Sequence, residues 1–598
     1  MDEGHRPTTQ DSPNLFNNPD INAQLHSSPA LDQTSAIHQP DTTFGAPASS
    51  SHFHQTQPSP SFADELKAIS LEATAERHLG SSSGLSFARL TQMILRRLTP
   101  DKADFVFVSN SNPTAADAAA ATTSPTTFFN LDTPSDLFDA SIFQSLSESI
   151  STHPVLFGDL FLADVTLQQD PSLVEQLSWP ADEAHVQHLV DFYFAHSHTL
   201  YPVLSRRQVL GTLDRIRRDP DPGGLAAQPP QDMFRVWMVL AIGSTTFSTI
   251  SLAEEAESMV FYNKALQYSE KAMEGDEMAA LEVIMLQVSY SFFNQLGPNT
   301  WFLVGIAARL ALGRGLHTVS TYTNLPVDEQ ERRKRVFFSI YMMDRVVSIT
   351  LGRPFAIHDD DIDITPFADA EEEDILPDKI IPKSSLHPTS MAVSLHLLSL
   401  RRIASKITHQ VYSTRASACT SAAEREGIIT SLHQELLEWR RTMPFPLPDL
   451  HASVPHLTTT WFDFNYYTHL AMIHRPSPLC PMLDDSRVKT LEMAASMSLR
   501  LAFSMYQQRR FAFNWLNFLS LFTSTLSLVY AITAQHDESA LMLRETKAVD
   551  DLEISVQLFD VYSVKFSAAQ KIRGMIAEIY TRCKNMRATA MNNGLALG

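Results

Sequence analysis

The chain has 598 residues, of which 44% are hydrophobic and 19% charged, and this excludes a collagen-like, a coiled-coil or a wholly disordered protein. It contains 46 lysines and arginines and 67 aspartates and glutamates, which give a formal net charge of -21. This charge repels nucleic-acid phosphates and anionic lipids at long range, so any DNA contact needs a local basic patch. The 3 cysteines lie far apart, which excludes a disulfide framework and a four-thiolate zinc site within these residues and indicates a reducing compartment.

Residues 1–62 are predicted to form a disordered arm. They are rich in Ser, Pro, Gln, Thr, Asn and Asp and contain one basic residue, Arg6. Such a composition cannot bury enough apolar surface to offset the entropy cost of ordering the chain. The arm begins without the basic flank and apolar stretch of a secretory signal, so we expect the protein to stay inside the cell.

Two further segments precede the main body. Residues 63–108 show apolar residues at helical spacing and are predicted to be a short helical segment. Residues 109–180 are predicted to be a linker that includes an acidic and aromatic segment at 132–150, where Phe138 and Phe143 are interspersed with Asp136, Asp139 and Glu148. This segment is either a transcriptional activation segment that folds on its partner or a surface helix that packs on the following domain.

Residues 181–590 are predicted to form a large all-α domain, followed by a tail at 591–598. Apolar residues recur there every three or four positions, while strand-like alternation is nearly absent. An uncharged stretch at 511–534 is long enough to cross a membrane, but its Asn, Ser and Thr residues favour a core helix. The predicted helices span Asp182–Ser197, Arg206–Arg218, Asp232–Ile250, Ala253–Glu274, Ala279–Gln295, Asn299–Leu316, Asp328–Thr350, Thr389–Tyr412, Ala422–Met443, Thr459–His474, Asp485–Gln508, Phe511–Ala534 and Val549–Tyr580.

Catalytic and metal-binding patterns are not supported by this sequence. No dinucleotide or phosphate-binding glycine motif occurs, and the G-x-S-x-G match at 80–84 lies in a serine-rich stretch without a preceding strand. His196 and His198 lack the further ligands of a zinc site, and the acidic runs at 359–361 and 371–374 lack calcium-loop spacing and are interpreted as solvated loops. We therefore predict no enzyme activity, no cofactor and no metal.

The most informative stretch lies between Glu331 and Phe367. A basic first turn leads into a strongly apolar helix that also carries Asp344 and Arg345, two charges that a core tolerates only when they are paired. The following turn offers Arg353 and several aspartates as partners. Gly352 can adopt the left-handed conformation that ends a helix, and Pro354 prevents its continuation.

This stretch resembles the middle homology region of the fungal-specific transcription factor family. Weaker similarities occur at 192–204, 308–317 and 474–478, and at 80–87, so that the resemblance covers roughly residues 75–530. The positions that match the family pattern, for which it implies a structural role, are Arg335, Phe337, Phe338, Asp344, Arg345, Gly352, Arg353, Pro354, Asp361 and Asp363, together with Ser348 and Leu351.

The resemblance implies a nuclear transcriptional regulator. Family members usually begin with a six-cysteine zinc cluster, yet the first cysteine here is Cys419, so we expect no such cluster within these residues and consider autonomous DNA binding doubtful. Action through the transcription machinery, and through a dimer partner that carries a zinc cluster, is then expected. Alternatively, an upstream exon encodes the cluster.

Two further alternatives remain open at this point. The basic cluster at 332–335 either begins a core helix or serves nuclear import. In a competing functional class, the domain is a small-molecule sensor or co-regulator that does not bind DNA, with an apolar cavity lined by aromatic residues. The candidate lining residues are Trp237, Tyr290, Trp301 and Phe302.

Overall fold

The computed structural model describes residues 179–252, 256–293, 300–382, 388–413, 415–416, 421–451, 453–534, 547–564 and 566–595. The arm at 1–62, the segment at 63–108, nearly all of the linker at 109–180, and Cys419 lie outside these residues. Within them the regular structure consists of 15 α-helices and short 3-10 turns, without a β-strand, which confirms the predicted all-α class.

The helices are numbered in chain order. They are α1 (Glu183–Leu200), α2 (Arg206–Arg218), α3 (Pro222–Ala226), α4 (Pro230–Ser251), α5 (Ala256–Met273), α6 (Ala279–Ser291), α7 (Thr300–Gly313), α8 (Val327–Leu351), α9 (Ser390–Val411), α10 (Ala422–Arg441), α11 (Thr459–His474), α12 (Asp485–Gln507), α13 (Trp515–Ala534), α14 (Ala548–Tyr562) and α15 (Ser567–Leu595).

Side-chain caps fix several helix starts where the sequence places Asp, Ser or Thr. Asp182 accepts a hydrogen bond from the backbone N–H of His185 at the start of α1. Ser421 and Asp484 cap α10 and α12 in the same way. Because the first N–H groups of a helix have no partner within it, each cap stabilises its helix by about 1 kcal/mol.

Most helices pack against their neighbours in sequence, around two hydrophobic cores. The smaller core is built by α1, α2, α4, α5 and one side of α6, with Trp237 at its centre. The larger core extends from α6 through α15 and contains most of the apolar surface of α8. The helix α6 contributes to both, through Leu286 to the smaller and Met285 to the larger, so it joins them.

Two described helices are long and apolar enough to cross a membrane, α4 and α13. Their apolar windows are 94% and 78% buried inside the domain, as is typical of core helices. The second helix begins at Trp515, four residues later than the predicted start at Phe511, because Asn514 caps it by accepting a hydrogen bond from the Asn517 N–H. Both helices therefore pack as core elements of the domain.

Other elements also differ from those expected. The stretch predicted as one helix over 549–580 is two helices, α14 and α15, because the chain turns at 563–564 and Tyr562 and Phe566 lie in the same core. That turn contains neither Gly nor Pro, so the sequence gives no sign of it. The short helix α3 was not predicted, and α15 ends at Leu595, beyond the predicted domain limit at 590.

Candidate functional site

The basic residues that begin α8 are bound by other parts of the same domain. Arg332 Nη2 lies 2.7 Å from Glu282 Oε1 of α6, and Arg335 Nη2 donates a hydrogen bond of 2.8 Å to the Ala370 carbonyl. The two residues between them also have carboxylate partners within 3.1 Å, Arg333 and Lys334. The cluster is thus part of the fold, which favours the structural interpretation over nuclear import.

Glu282 is the charged centre of this region. Its side chain is almost completely buried, and Arg235 Nε donates to its Oε2 at 3.0 Å while Arg332 occupies Oε1. A buried carboxylate is stable only when it is paired and hydrogen-bonded, and two guanidinium groups meet that requirement. The network therefore ties α4, α6 and α8 together.

The aromatic pair of the family pattern lies in the larger core. Phe337 and Phe338 are completely buried, and their ring centroids are 5.3 Å apart at an angle of 74°. This edge-to-face arrangement is one that aromatic rings prefer. Phe338 also packs 6.4 Å from Phe367, which lies in the segment after α8. The pair anchors α8 and the following segment in the core.

The carboxylate of Asp344 holds the segment after α8 against the helix. Its oxygens accept hydrogen bonds from the backbone N–H groups of Ala356 at 3.1 Å and Ile357 at 3.3 Å, and from the Ser348 hydroxyl at 3.2 Å. Arg345 Nη1 donates to Asp344 Oδ2 at 2.7 Å. Burial raises the pKa of Asp344, whereas the Arg345 charge and the hydrogen bonds oppose that rise.

Arg345 is completely buried between two aromatic rings. Its guanidinium carbon lies 4.0 Å from the centroid of Tyr341 and 4.2 Å from that of Phe355, and Nη2 lies 3.2 Å from Asp359 Oδ2. Tyr341 donates a hydrogen bond of 2.6 Å to the other oxygen of Asp359. Burial favours a higher pKa for Asp359, but the Arg345 charge and these hydrogen bonds lower it below its usual value.

We call Asp344, Arg345 and Asp359 the α8 ion-pair cluster. Its two aspartates flank one guanidinium, and that guanidinium stacks on rings from the helix and from the loop. Such a desolvated arrangement is favourable only in good geometry, which the short distances provide. The cluster fixes the loop after α8 and presents no free acid, base or nucleophile.

The predicted helix stop is present at Gly352. This residue has φ 67°, and the next residue, Arg353, donates its N–H to the Ser348 carbonyl at 2.8 Å, as in a left-handed C-cap. Pro354 follows and has no N–H to continue the helix. The guanidinium of Arg353 stacks 4.3 Å above the Trp301 ring, and Asp344 is paired with Arg345.

The two later aspartates of the pattern lie in exposed positions. Asp363 Oδ1 accepts a hydrogen bond of 2.6 Å from the Val319 N–H, and its own N–H donates to the His317 carbonyl at 3.1 Å. It therefore connects the loop after α8 to the segment that follows α7. The side chain of Asp361 has neither a hydrogen-bond nor an ion-pair partner among the described residues.

The acidic run at 371–374 is more than a solvated loop. Glu372 Oε2 accepts hydrogen bonds from the N–H groups of Arg206 and Arg207 at the start of α2, at 2.8 and 3.3 Å. Glu371 Oε1 accepts from the Ser390 N–H at the start of α9, at 2.7 Å. These carboxylates cap two helices that are remote in sequence, where negative charge is favoured. No three His, Cys, Asp or Glu side chains among the described residues are grouped to hold a metal ion.

A cavity of about 200 Å³ lies between α1, α8, α9, α11 and α13. Its wall combines aromatic and aliphatic side chains with histidines, amides and two arginines, Arg401 and Arg475. The second arginine belongs to the family-like stretch at 474–478, is almost completely buried, and donates a hydrogen bond of 2.7 Å to the Tyr412 hydroxyl. The sequence did not reveal this cavity, because its wall is assembled from helices hundreds of residues apart.

The aromatic residues expected to line a cavity lie elsewhere. Trp237 and Tyr290 are buried in the smaller core, where Tyr290 stacks on Tyr262 with centroids 4.2 Å apart. Trp301 packs against Phe302 and carries the Arg353 guanidinium. These four predicted residues fill the packing of the domain, and none of them lines the 200 Å³ cavity.

The histidines of the cavity wall are neutral at physiological pH. Burial lowers the pKa of His196 to about 3 and that of His469 to about 4, and His456 is also shifted well below its usual value. No Asp or Glu lines the cavity. Its formal charge therefore comes from the guanidinium groups of Arg401 and Arg475, so the cavity is cationic.

Taken together, the fold and these contacts define an all-α domain built around a long central helix, with structural charge clusters and a small cationic cavity. Residues 190–441 match the model of the family described as "Fungal specific transcription factor domain". The matched range contains α8 and all of its pattern positions, but it is shorter than the roughly 75–530 expected and excludes the stretch at 474–478. Residues 190–441 therefore carry the domain of the fungal specific transcription factor family.

Curated relatives agree with this assignment. The chain is 25% identical over 373 residues to "Protein STB5" of Saccharomyces cerevisiae, an alignment that covers 59% of this chain and 48% of the relative. It is 30% identical over 271 residues to "Negative regulator of pleiotropic drug resistance STB5" of Candida glabrata, covering 43% of this chain and 25% of the relative. It is 23% identical over 262 residues to "Pyrimidine pathway regulatory protein 1" of Saccharomyces cerevisiae, covering 43% and 28%.

The chain therefore spans between a quarter and about half of the length of these relatives. No solved structure matches it. The family and the relatives' names support a role in transcription regulation, and they describe regulators rather than enzymes.

Proposed function

We propose that this protein is a nuclear transcriptional regulator whose all-α domain acts through protein partners. The observation that carries the proposal is the family match at 190–441, a range that contains α8 and its ion-pair cluster. Regulators named among the relatives support it. In this proposal the helical domain receives or transmits a regulatory signal, and the acidic and aromatic segment at 132–150 contacts the transcription machinery.

DNA contact is proposed to come from outside these 598 residues. The six-cysteine zinc cluster of the family needs six thiolates, and this sequence offers 3 cysteines, two of which, Cys480 and Cys583, are buried in the helical domain. The net charge of -21 also opposes phosphate binding at long range. A dimer partner that carries a zinc cluster meets this need, and so does a cluster encoded ahead of residue 1.

Catalysis is not part of the proposal. Two of the most deeply buried carboxylates are engaged in structural pairs, Asp344 with Arg345 and Glu282 with Arg235. An enzyme needs an acid, a base or a nucleophile that faces a substrate site, and the charged groups of α8 face protein partners.

A gel-shift experiment tests the partner hypothesis. The purified 598-residue chain is incubated with promoter DNA alone, and then with a zinc-cluster-bearing relative. We expect no sequence-specific complex with the chain alone and a slower, supershifted complex in the presence of the relative. Tight, sequence-specific binding by the chain alone contradicts the hypothesis, and an unchanged complex in the presence of the relative contradicts the dimer arrangement.

A small-molecule sensor is the second candidate function, and the cationic cavity favours it. A ligand that binds only the folded domain stabilises it by RT ln(1 + L/Kd), where L is the ligand concentration, so the unfolding temperature rises with ligand concentration. A thermal-shift screen of the purified chain against charged and neutral metabolites tests this. A concentration-dependent rise in the midpoint with at least one compound supports sensing, and a flat response across the panel contradicts it.

A further inference from the structure

The cavity contains an arginine that lacks a carboxylate partner. Arg401 on α9 lines the cavity and has no hydrogen bond or ion pair among the described residues. By contrast, Arg235 and Arg345, which are buried elsewhere in the domain, each lie within 2.7 Å of an acidic oxygen. Arg401 is half-buried in the cavity wall, and because a guanidinium partly removed from water is costly without a counter-charge, it is the group in this cavity that most needs an anionic partner.

The surroundings of Arg401 do not supply that charge. Burial lowers the pKa of Arg401, and the phenol of Tyr201 opposes this effect. His469, which lies beside Arg401, donates its Nδ1 proton to the Asn465 carbonyl at 2.7 Å, which leaves Nε2 as a hydrogen-bond acceptor. The site thus offers one cationic fork and one neutral acceptor next to each other.

The remaining wall suits an organic ligand body. Phe292, Trp461, Phe464 and Leu516 contribute aromatic and aliphatic surface, as small-molecule sites commonly do. The hydroxyls of Thr468 and Ser520 donate to backbone carbonyls of their own helices, so they are satisfied without a ligand. A volume of about 200 Å³ corresponds to roughly seven water molecules at ~30 Å³ each, which is room for a small metabolite rather than a peptide.

We propose that this cavity binds a small organic carboxylate, with the carboxylate paired to the Arg401 guanidinium and the apolar body against the aromatic wall. A planar guanidinium matches a carboxylate through two parallel hydrogen bonds, which gives geometric selection as well as attraction. A hydroxyl next to the carboxylate is placed to donate to Nε2 of His469. The inference deepens the sensor candidate and is independent of DNA contact, since binding is measured on the purified chain.

Calorimetric titration of the full chain tests the site with four probes: mandelate, malate, inorganic phosphate and mandelamide, the neutral isostere of mandelate. We expect saturable binding of mandelate, and binding of mandelamide about 10- to 100-fold weaker, because a charge-assisted hydrogen bond is lost. Malate has carboxylates but no aromatic ring, so the difference between its affinity and that of mandelate measures the contribution of the aromatic body. Binding of phosphate as tight as that of mandelate overturns the assignment to an organic carboxylate.

Two variants locate the binding. Arg401→Met should weaken mandelate binding by about 10- to 100-fold, whereas Arg402→Met, which changes the exposed neighbour on the same helix, should bind as the wild type does. If Arg401→Met fails to fold, Ser520→Phe provides the second test, because it fills the cavity and retains the guanidinium. Wild-type affinity in either cavity variant, or no saturable binding of mandelate and malate to the wild type, overturns the proposal. A neutral compound that stabilises the chain while the carboxylates do not would leave a sensor standing and remove this site assignment.

Discussion

Removal of the Asp344 carboxylate is the sharpest test of how α8 is held. In Asp344→Ala the completely buried guanidinium of Arg345 loses its 2.7 Å partner, and the N–H of Ile357 loses its acceptor. Breaking a buried ion pair from one side costs about 3–5 kcal/mol, because the remaining charge stays desolvated. Asp359 still lies 3.2 Å from Arg345, so we expect the lower part of that range.

Urea unfolding followed by circular dichroism measures this loss. With an m-value of about 3 kcal/mol/M, the midpoint should fall by roughly 1 M at an unchanged m-value. Asp361→Ala is the matched control: it removes a carboxylate of the same family pattern from an exposed position without a side-chain partner, and its effect should be below about 0.5 kcal/mol.

A double variant separates the ion pair from the rest of the site. Asp344→Ala combined with Arg345→Met removes both charges, so it should be less destabilised than the sum of the two single variants. Equal midpoints for Asp344→Ala and Asp361→Ala, or strictly additive losses in the double variant, would refute the reasoning that the pair holds the loop to α8.

Three further predictions concern stability and use the same unfolding assay. The pKa of buried His196 is lowered to about 3 and that of His469 to about 4, so below pH 6.5 these histidines bind protons in the unfolded chain but not in the folded one. The free energy of unfolding should therefore fall between pH 6.5 and 5.5 by up to ~1.4 kcal/mol per pH unit for each histidine. A constant urea midpoint over this range would contradict the prediction. Gly352→Ala should destabilise the domain by about 1–2 kcal/mol, because φ is 67° at this position. Gly427→Ala, inside α10, should stabilise it by about 0.5–1 kcal/mol, because an added Cβ meets open space there. The same sign for both variants would be evidence against the left-handed cap. Glu282→Ala leaves two arginines of α4 and α8 without their shared carboxylate and should cost about 3 kcal/mol, and a loss below 1 kcal/mol would mean that the network does not join these helices.

Local features of the fold were predictable from the sequence. Apolar spacing located thirteen helical stretches, and the Gly352 and Pro354 stop at the end of α8 is present where it was predicted, because a left-handed glycine followed by proline acts within a few residues. The need for a partner at Asp344 and Arg345 was also predictable, since charges in an apolar helix must be paired.

Contacts between distant segments were not predictable. Arg353 stacks on Trp301, and no local pattern in the sequence indicates that contact. Nothing in the sequence singles out Glu282, and the run that contains Glu372 was interpreted as a solvated loop. The fold places Glu282 between two arginines and Glu372 at the start of a helix 166 residues away. The cavity around Arg401 likewise depends on five helices that meet only in three dimensions.

The central claim is that this helix-rich chain is a transcriptional control protein. The most direct measurement fuses the full 598 residues to a heterologous DNA-binding domain and records a reporter gene in a fungal host. We predict a change in reporter transcription of several-fold relative to the DNA-binding domain alone, in either direction, and a loss of that change in Asp344→Ala but not in Asp361→Ala at equal protein levels. Reporter transcription identical to that of the DNA-binding domain alone, with the fusion folded and nuclear, would contradict the claim.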